Sequence, residues 1–208
     1  MKKLESSLLN MVLVLTSVAV VMGAILALVN HLTEGPIAEQ KEKALADGIK
    51  TVMVCEDLTV SDPIELRQID AKGKESIYTI YQVKDAQGQD LGAAVESTTM
   101  GFGGDLRVLV GFDPEGKVLG YTLLEHDETP GLGAKADKWF QKGEKGDIIG
   151  KSLEEPLTVS KDGGKVDAIT ASTITSRAFL LAVNNAYNAY KATPVDGESG
   201  ATKQKEEE

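Results

Sequence analysis

Between Asp167 and Ser176 the chain reads Asp-Ala-Ile-Thr-Ala-Ser-Thr-Ile-Thr-Ser, with hydroxyls at Thr170, Ser172, Thr173, Thr175 and Ser176. An apolar-periodic run from Ala178 to Tyr190 follows and predicts a helix. The hydroxyls therefore crowd the start of that helix. A helix start presents N–H groups without intrahelical acceptors and the positive end of the dipole, and together these can hold a phosphate. A threonine placed there has the further capacity to carry a phosphate covalently. Plain N-capping explains the same residue types, because Ser and Thr side chains satisfy those N–H groups themselves. Composition alone favours capping.

Two glycine-bearing segments could complete such a site. Gly101-Phe102-Gly103-Gly104 would let backbone approach a flat ring or a phosphate closely, or it is simply a flexible connection between hairpins. It is not a dinucleotide fingerprint, since neither its glycine spacing nor a strand–turn–helix context fits, and there is no Walker A sequence. His126-Asp127-Glu128-Thr129-Pro130-Gly131-Leu132-Gly133 reads as a turn before a short helix, Ala134 to Lys142. Trp139 in that helix reads as a core or interface residue, and Lys135 as a solvated one.

The elements that must position these segments form a recognisable order. Ile77 to Val83 and Leu91 to Thr98 predict one hairpin, and Leu106 to Phe112 with Lys117 to Glu125 a second. Both turns share Asp-x-x-Gly-x-x-Leu-Gly, at Asp85–Gly92 and Asp113–Gly120. Asp opening a type I turn with Gly in the left-handed position is a hairpin signal. The second hairpin is apolar on both faces, which predicts a central, doubly covered place in the sheet. Leu157 to Val159 predicts a short strand before the turn at Asp162-Gly163-Gly164. The sum is an α+β fold with a largely antiparallel sheet and flanking helices.

The N-terminus predicts an anchor. Leu8 to Val29 is almost wholly apolar, interrupted only by Asn10, Thr16 and Ser17, and free of charge, and about 22 residues at ~1.5 Å rise span ~33 Å, enough for a hydrocarbon core of about 30 Å. The run is longer than a usual signal-peptide core, and His31 to Pro36 just after it is a poor cleavage region, so an uncleaved span is preferred to a signal peptide. Lys2 and Lys3 on the short side predict a cytoplasmic N-terminus and a soluble domain on the other side of the membrane. The resulting division is a leader 1–7, a transmembrane helix 8–30, a membrane-proximal helical segment 31–75, a folded domain 76–193 and a disordered acidic tail 194–208. Within the proximal segment, Ile37 to Met53 predicts an amphipathic helix and Asp57 to Pro63 a turn. The net charge of −10 in 208 residues argues against nucleic-acid binding. The single Cys55 excludes an internal disulfide and a cysteine-held cluster, and His31 and His126 suggest no metal site.

Taken together and in order, these segments resemble the G subunit of the Rnf electron-transport complex, a family related to the C subunit of the sodium-translocating NADH:quinone reductase. The first segment resembles its flavinylation motif, Asp, two residues, Ser/Thr-Gly-Ala-Ser/Thr, one residue and Thr-Ser. Gly101 to Gly104 resembles its aromatic-glycine loop, and Glu128 to Gly133 its Glu-Thr-Pro-Gly-Leu-Gly segment. The departure is Ala171-Ser172 where the family has Gly-Ala. The resemblance implies FMN joined by a phosphoester to Thr173, attached by a separate flavin transferase that supplies FAD. It implies a flavin site bordered by Gly101, Phe102, Gly103, Gly104, Glu128, Thr129, Leu132, Gly133, Asp167, Thr170, Ala171, Ser172 and Thr175. It also implies a single-pass subunit of the bacterial inner membrane with a periplasmic domain. That subunit would relay electrons between ferredoxin and NAD inside an ion-translocating complex, with the other Rnf subunits as partners and no substrate site of its own. The alternatives are the quinone-reductase C subunit and a cofactor-free binding or scaffold module.

Overall fold

The computed structural model describes residues 8–69 and 75–192. The expected leader 1–7 and tail 194–208 lie outside the described residues. The chain divides into two compact units that meet at Leu45/Ala46.

In the first unit a single helix runs without interruption, and it continues into the second: α1 spans Leu8–Met53. Its N-terminal part is long and apolar enough to cross a membrane. Side chains such as Leu8, Leu15, Val20 and Leu26 are exposed all round it, which is how a span in contact with lipid is patterned. Pro36 lies inside the helix. It withholds one backbone hydrogen bond, and the turns on either side carry the helix through.

The second unit is built on one antiparallel sheet: β1 (Leu58–Val60), β2 (Ile64–Ile69), β3 (Glu75–Asp85), β4 (Asp90–Met100), β5 (Asp105–Phe112) and β6 (Val118–His126). The order is β1-β3-β4-β5-β6, and β2 shares β3 as partner, alongside the stretch that β1 leaves free. Of the proximal segment 31–75, the described residues are helical only to Met53, and residues 54–69 hold β1 and β2. The second hairpin is not central either, because β6 ends the sheet order. Its edge is covered instead by chain: Val118 exchanges backbone bonds with Gly150 and Lys151. Both hairpin turns form as the repeated pattern predicts. Gly88 and Gly116 adopt φ of 82° and 88° and donate to the carbonyls of Asp85 and Asp113. Each Asp carboxylate also accepts a backbone N–H across its turn.

The last helix, α3 (Thr173–Ala192), packs on one face of the sheet. Phe179 lies flat on Phe140 with ring centroids 4.3 Å apart and meets the edge of Tyr121, while Tyr190 stacks on Phe112. Full burial of one such ring contributes about 3 kcal/mol. Tyr121 donates to the Ala136 carbonyl at 2.7 Å and accepts from the Phe140 amide. It thereby fixes the short helix α2 (Ala136–Trp139), and burial pushes its phenol pKa up. The opposite face is covered by the C-terminal end of α1. Gly111 and Gly120 face each other in register, and a Cβ on either would run into the Val52 backbone. The two glycines let that helix end sit directly on the strands.

Candidate functional site

Three loops meet beside the start of α3. The first joins β4 to β5 through Gly101–Gly104, the second leaves β6 through Glu128–Gly133, and the third brings the chain through Asp167–Ser172 into the helix. They enclose a cleft of about 380 Å³ lined by Phe102, Glu128, Thr129, Leu132 and 171–175.

Glu128 ties the loops together. It is buried, with 6% of its surface exposed. Its Oε1 accepts from the Phe102 amide at 2.7 Å, and its Oε2 accepts from the Thr175 hydroxyl at 2.8 Å. A buried carboxylate needs such partners, since burial of an uncompensated charge is prohibitive. The glycines serve this arrangement. A Cβ on Gly101 would strike Glu128 Oε1, and one on Gly133 would strike Oε2; on Gly103 and Gly104 it would meet Asp127. Gly101 also donates to the Gly104 carbonyl at 2.8 Å, closing the loop on itself.

The hydroxyls of the first segment divide into distinct environments. Ser176 Oγ accepts from the Ile169 amide and donates to the Ser172 carbonyl, so it is committed to the turn that starts the helix. Thr175 is committed to Glu128. Thr170 is exposed and outside the cleft lining. Ser172 is buried at the position just before α3, and Thr173 opens the helix half-buried. The Ser176 amide donates to the Ser172 carbonyl, so the amides of Thr173, Ile174 and Thr175 precede the first intrahelical bond. Ala171 sits at φ 63°. That left-handed conformation is where glycine is at ease and an L-residue pays.

Of the residues expected at the site, Phe102, Glu128, Thr129, Leu132, Ala171, Ser172, Thr173 and Thr175 line the cleft. Gly101, Gly103, Gly104 and Gly133 stand behind that lining. Asp167 does not reach it: its carboxylate accepts from Ser160 Oγ, and its carbonyl accepts from Trp139 Nε1 at 2.8 Å. Trp139 and Lys135 border a different hollow. Sequence reasoning missed two residues. Ile174 lines the cleft and is 53% exposed; an apolar residue among hydroxyls was its signal. Lys161 donates from Nζ to Thr173 Oγ1 at 3.1 Å, and nothing in the local sequence ties the two.

The cleft offers what a phosphorylated flat ring requires. Phe102, Leu132 and Ile174 give exposed apolar surface at its lip. A helix start and a lysine ammonium give positive potential at one end. These residues fit FMN.

Comparison with known proteins agrees. Residues 101–188 match the FMN-binding domain family, and residues 1–52 match the RnfG N-terminal region. The chain is 33% identical over 187 residues to the G subunit of the ion-translocating oxidoreductase complex of Aliivibrio fischeri, covering 86% of this chain and 88% of that one. It is 36% identical over 174 residues to the protein of the same name from Yersinia pestis, covering 77% and 79%. The crystal structure of NqrC from Shewanella oneidensis superposes with a TM-score of 0.54 at 18% identity, over 75% of this chain and all of that one, which shows a shared fold. At 33% and 36% identity over 88% and 79% of the length of these two relatives, the chain belongs to the G-subunit family of the ion-translocating oxidoreductase complexes and carries an FMN-binding domain.

Proposed function

We propose that this chain is a membrane-anchored electron carrier of an Rnf-type complex, with FMN held by a phosphoester to Thr173. FMN supplies the reversible redox chemistry when bound. The chain supplies attachment, orientation and shielding. The observation that carries this reading is the sorting of hydroxyls around the cleft. Thr175 and Ser176 are bonded into the fold, Thr170 is outside the cleft lining, and Thr173 opens the helix at the lip with a cation on its oxygen. Ser172 is the competing hydroxyl and is the more buried of the two.

Attachment is a single maturation event. Thr173 Oγ bonds to the phosphorus of the FMN half of FAD, and the diphosphate P–O bond breaks. AMP leaves with the electron pair, and the hydroxyl proton passes to a base of the transferase. The covalent bond keeps the cofactor in a compartment where dissociated flavin would be lost. In the assembled complex the carrier works between ferredoxin and NAD, and the other subunits supply ion translocation. The apolar span without charge from Leu8 to Val29 suits an anchor and a packing surface better than an ion conduit. Lys2 and Lys3 orient it with the N-terminus in the cytoplasm and the FMN-binding domain in the periplasm.

Flavin fluorescence of the denatured band on a gel tests the proposal, with the chain co-produced with a flavin transferase. Wild type and Ser172→Ala should fluoresce, and the mass of the peptide should place the adduct on Thr173. Thr173→Val should be dark while keeping its melting temperature. A dark wild type, or an adduct on Ser172, would overturn the assignment.

A further inference from the structure

Lys161 stands out as a cation spent on a neutral hydroxyl in an acidic chain. It sits in the middle of a 3-10 turn, Ser160–Asp162, twelve residues before Thr173. The turn is not free to drift. Asp162 on one side of the lysine forms a two-pronged pair with Arg177 of α3, at 2.7 Å from Nε and 2.6 Å from Nη2. Each group holds the other charged: the Arg177 hydrogen bond lowers the Asp162 pKa, and Asp162 raises that of Arg177. Ser160 on the other side donates its amide to the Val166 carbonyl at 2.8 Å and its hydroxyl to Asp167. At the base of the loop Gly164 lies against Thr158, where a Cβ would clash with the Thr158 carbonyl.

The geometry of α3 explains why this matters for position 173. Thr173 and Arg177 are four residues apart and therefore share a face. Pinning Asp162 to Arg177 lays the turn along that face, and Lys161 then reaches one helical turn back to Thr173 Oγ1. An ammonium has three donors, and a threonine oxygen gives it one modest hydrogen bond. A phosphate ester on the same oxygen would offer anionic oxygens within reach of that ammonium, so an ion–dipole hydrogen bond becomes an ion pair in which more than one of the three donors can be used. Asp167 also gains a role here without touching the cleft, since its bond to Ser160 helps hold the turn.

We propose that Lys161 is the positioning cation of the phosphate carried by Thr173, held in readiness by the Asp162–Arg177 fork. The inference rests on Thr173 bearing FMN. It adds that the protein neutralises the phosphodiester through a side chain from outside the helix, with the helix start as the second source of positive potential.

The test uses full-length protein in detergent, made with a flavin transferase, as wild type, Lys161→Arg, Lys161→Ala and Lys161→Glu. Intact mass gives the flavinylated fraction during a limited reaction with FAD. Melting curves are taken on modified and unmodified forms of each variant. Lys161 is exposed, so the unmodified forms should melt alike. Flavinylation should proceed in the arginine variant within about twofold of wild type, fall at least fivefold in the alanine variant and fall further in the glutamate variant. Modified Lys161→Glu should melt ~2 °C below its unmodified form, a loss absent in wild type. If the alanine and glutamate variants are modified at the wild-type rate and melt like wild type when modified, the pairing is wrong. If arginine fails to rescue, charge is not the property used, and the proposal also falls. Failure of the parent reading looks different: wild type itself would carry no flavin on Thr173.

Discussion

On one side of the cleft Glu128 has both carboxylate oxygens occupied by the protein, by the Phe102 amide and the Thr175 hydroxyl. On the other side Thr173 has its oxygen at the lip, met by the long side chain of Lys161. Both sides resemble ligand-binding loops when read as sequence, one rich in glycine and the other in hydroxyls. Their physical states differ. The Glu128 side is a closed network whose members satisfy each other, so it fixes the shape of the cleft. The Thr173 side keeps a half-buried hydroxyl and an exposed cation at the rim, bonded to each other and not locked into the core. A buried polar network of the first kind is costly to disturb, whereas an exposed contact of the second kind costs almost nothing to remove.

The largest expected effect is therefore on the closed side. Glu128→Ala removes the acceptor of the Phe102 amide and of the Thr175 hydroxyl at once. The Thr175 hydroxyl is a buried donor, and leaving it without a partner costs about 1–3 kcal/mol; the part-buried Phe102 amide adds a smaller share, so the expected loss of stability is ~3 kcal/mol. For a domain of this size that lowers the melting temperature by about 6–12 °C. Glu128→Gln keeps an acceptor oxygen, and the Thr175 hydroxyl can turn to receive the new amide, so its loss should be no more than about half as large. Thermal melting of unmodified protein checks both. If Glu128→Ala melts like wild type, the closed network is not what shapes this wall.

A smaller effect separates packing from hydrogen bonding on the same wall. Gly133→Ala places a methyl against Glu128 Oε2 and within 2.8 Å of Thr175 Oγ1. Overpacking of this kind costs about 2 kcal/mol. A Cβ on Gly131, two residues earlier, would meet open space, but the backbone there has a φ of 77°. Gly131→Ala should therefore cost only the left-handed penalty of ~1 kcal/mol. Equal melting temperatures for the two variants would mean that the carboxylate gives way and the wall is softer than its hydrogen bonds imply.

How much of this was legible in the sequence depends on the range of the interaction that decides each feature. The hairpin turns were readable because Asp85 and Asp113 act on residues two to four positions away. The helix α3 was readable from its own periodicity, although it starts at Thr173, five residues earlier than the apolar pattern suggests. β1 and β2 escaped notice. β1 has only three residues, and β2 breaks its apolar alternation between Leu66 and Ile69, so pairing with β3 decides both. The glycines at 101 and 133 were recognisable as necessary, but their purpose was not. They make room for a carboxylate 27 residues from one and five from the other, a relation no local pattern encodes. Lys161 was invisible for the same reason, since its position depends on the fork between Asp162 and Arg177 across 15 residues.

The smallest effect concerns the open side. Ala171 adopts φ 63° at the position where the family pattern has glycine. An L-residue pays about 1–2 kcal/mol in that conformation, and a glycine loses about 0.5–1 kcal/mol more than alanine on ordering. The difference leaves Ala171→Gly more stable by ~0.5 kcal/mol, a rise in melting temperature of about 1–2 °C. Ala171 is exposed, so little packing is lost to offset the gain. The backbone already occupies the glycine-like conformation, and the substitution leaves Thr173 and Lys161 where they are. The flavinylated fraction should therefore match wild type in a limited reaction. A variant that melts lower would show that the alanine methyl contributes contacts outweighing its strain. A variant that melts higher but takes up flavin several-fold faster would show that the methyl obstructs the transferase rather than the fold, and would move the functional meaning of this position from the helix start to the approach of the maturation enzyme.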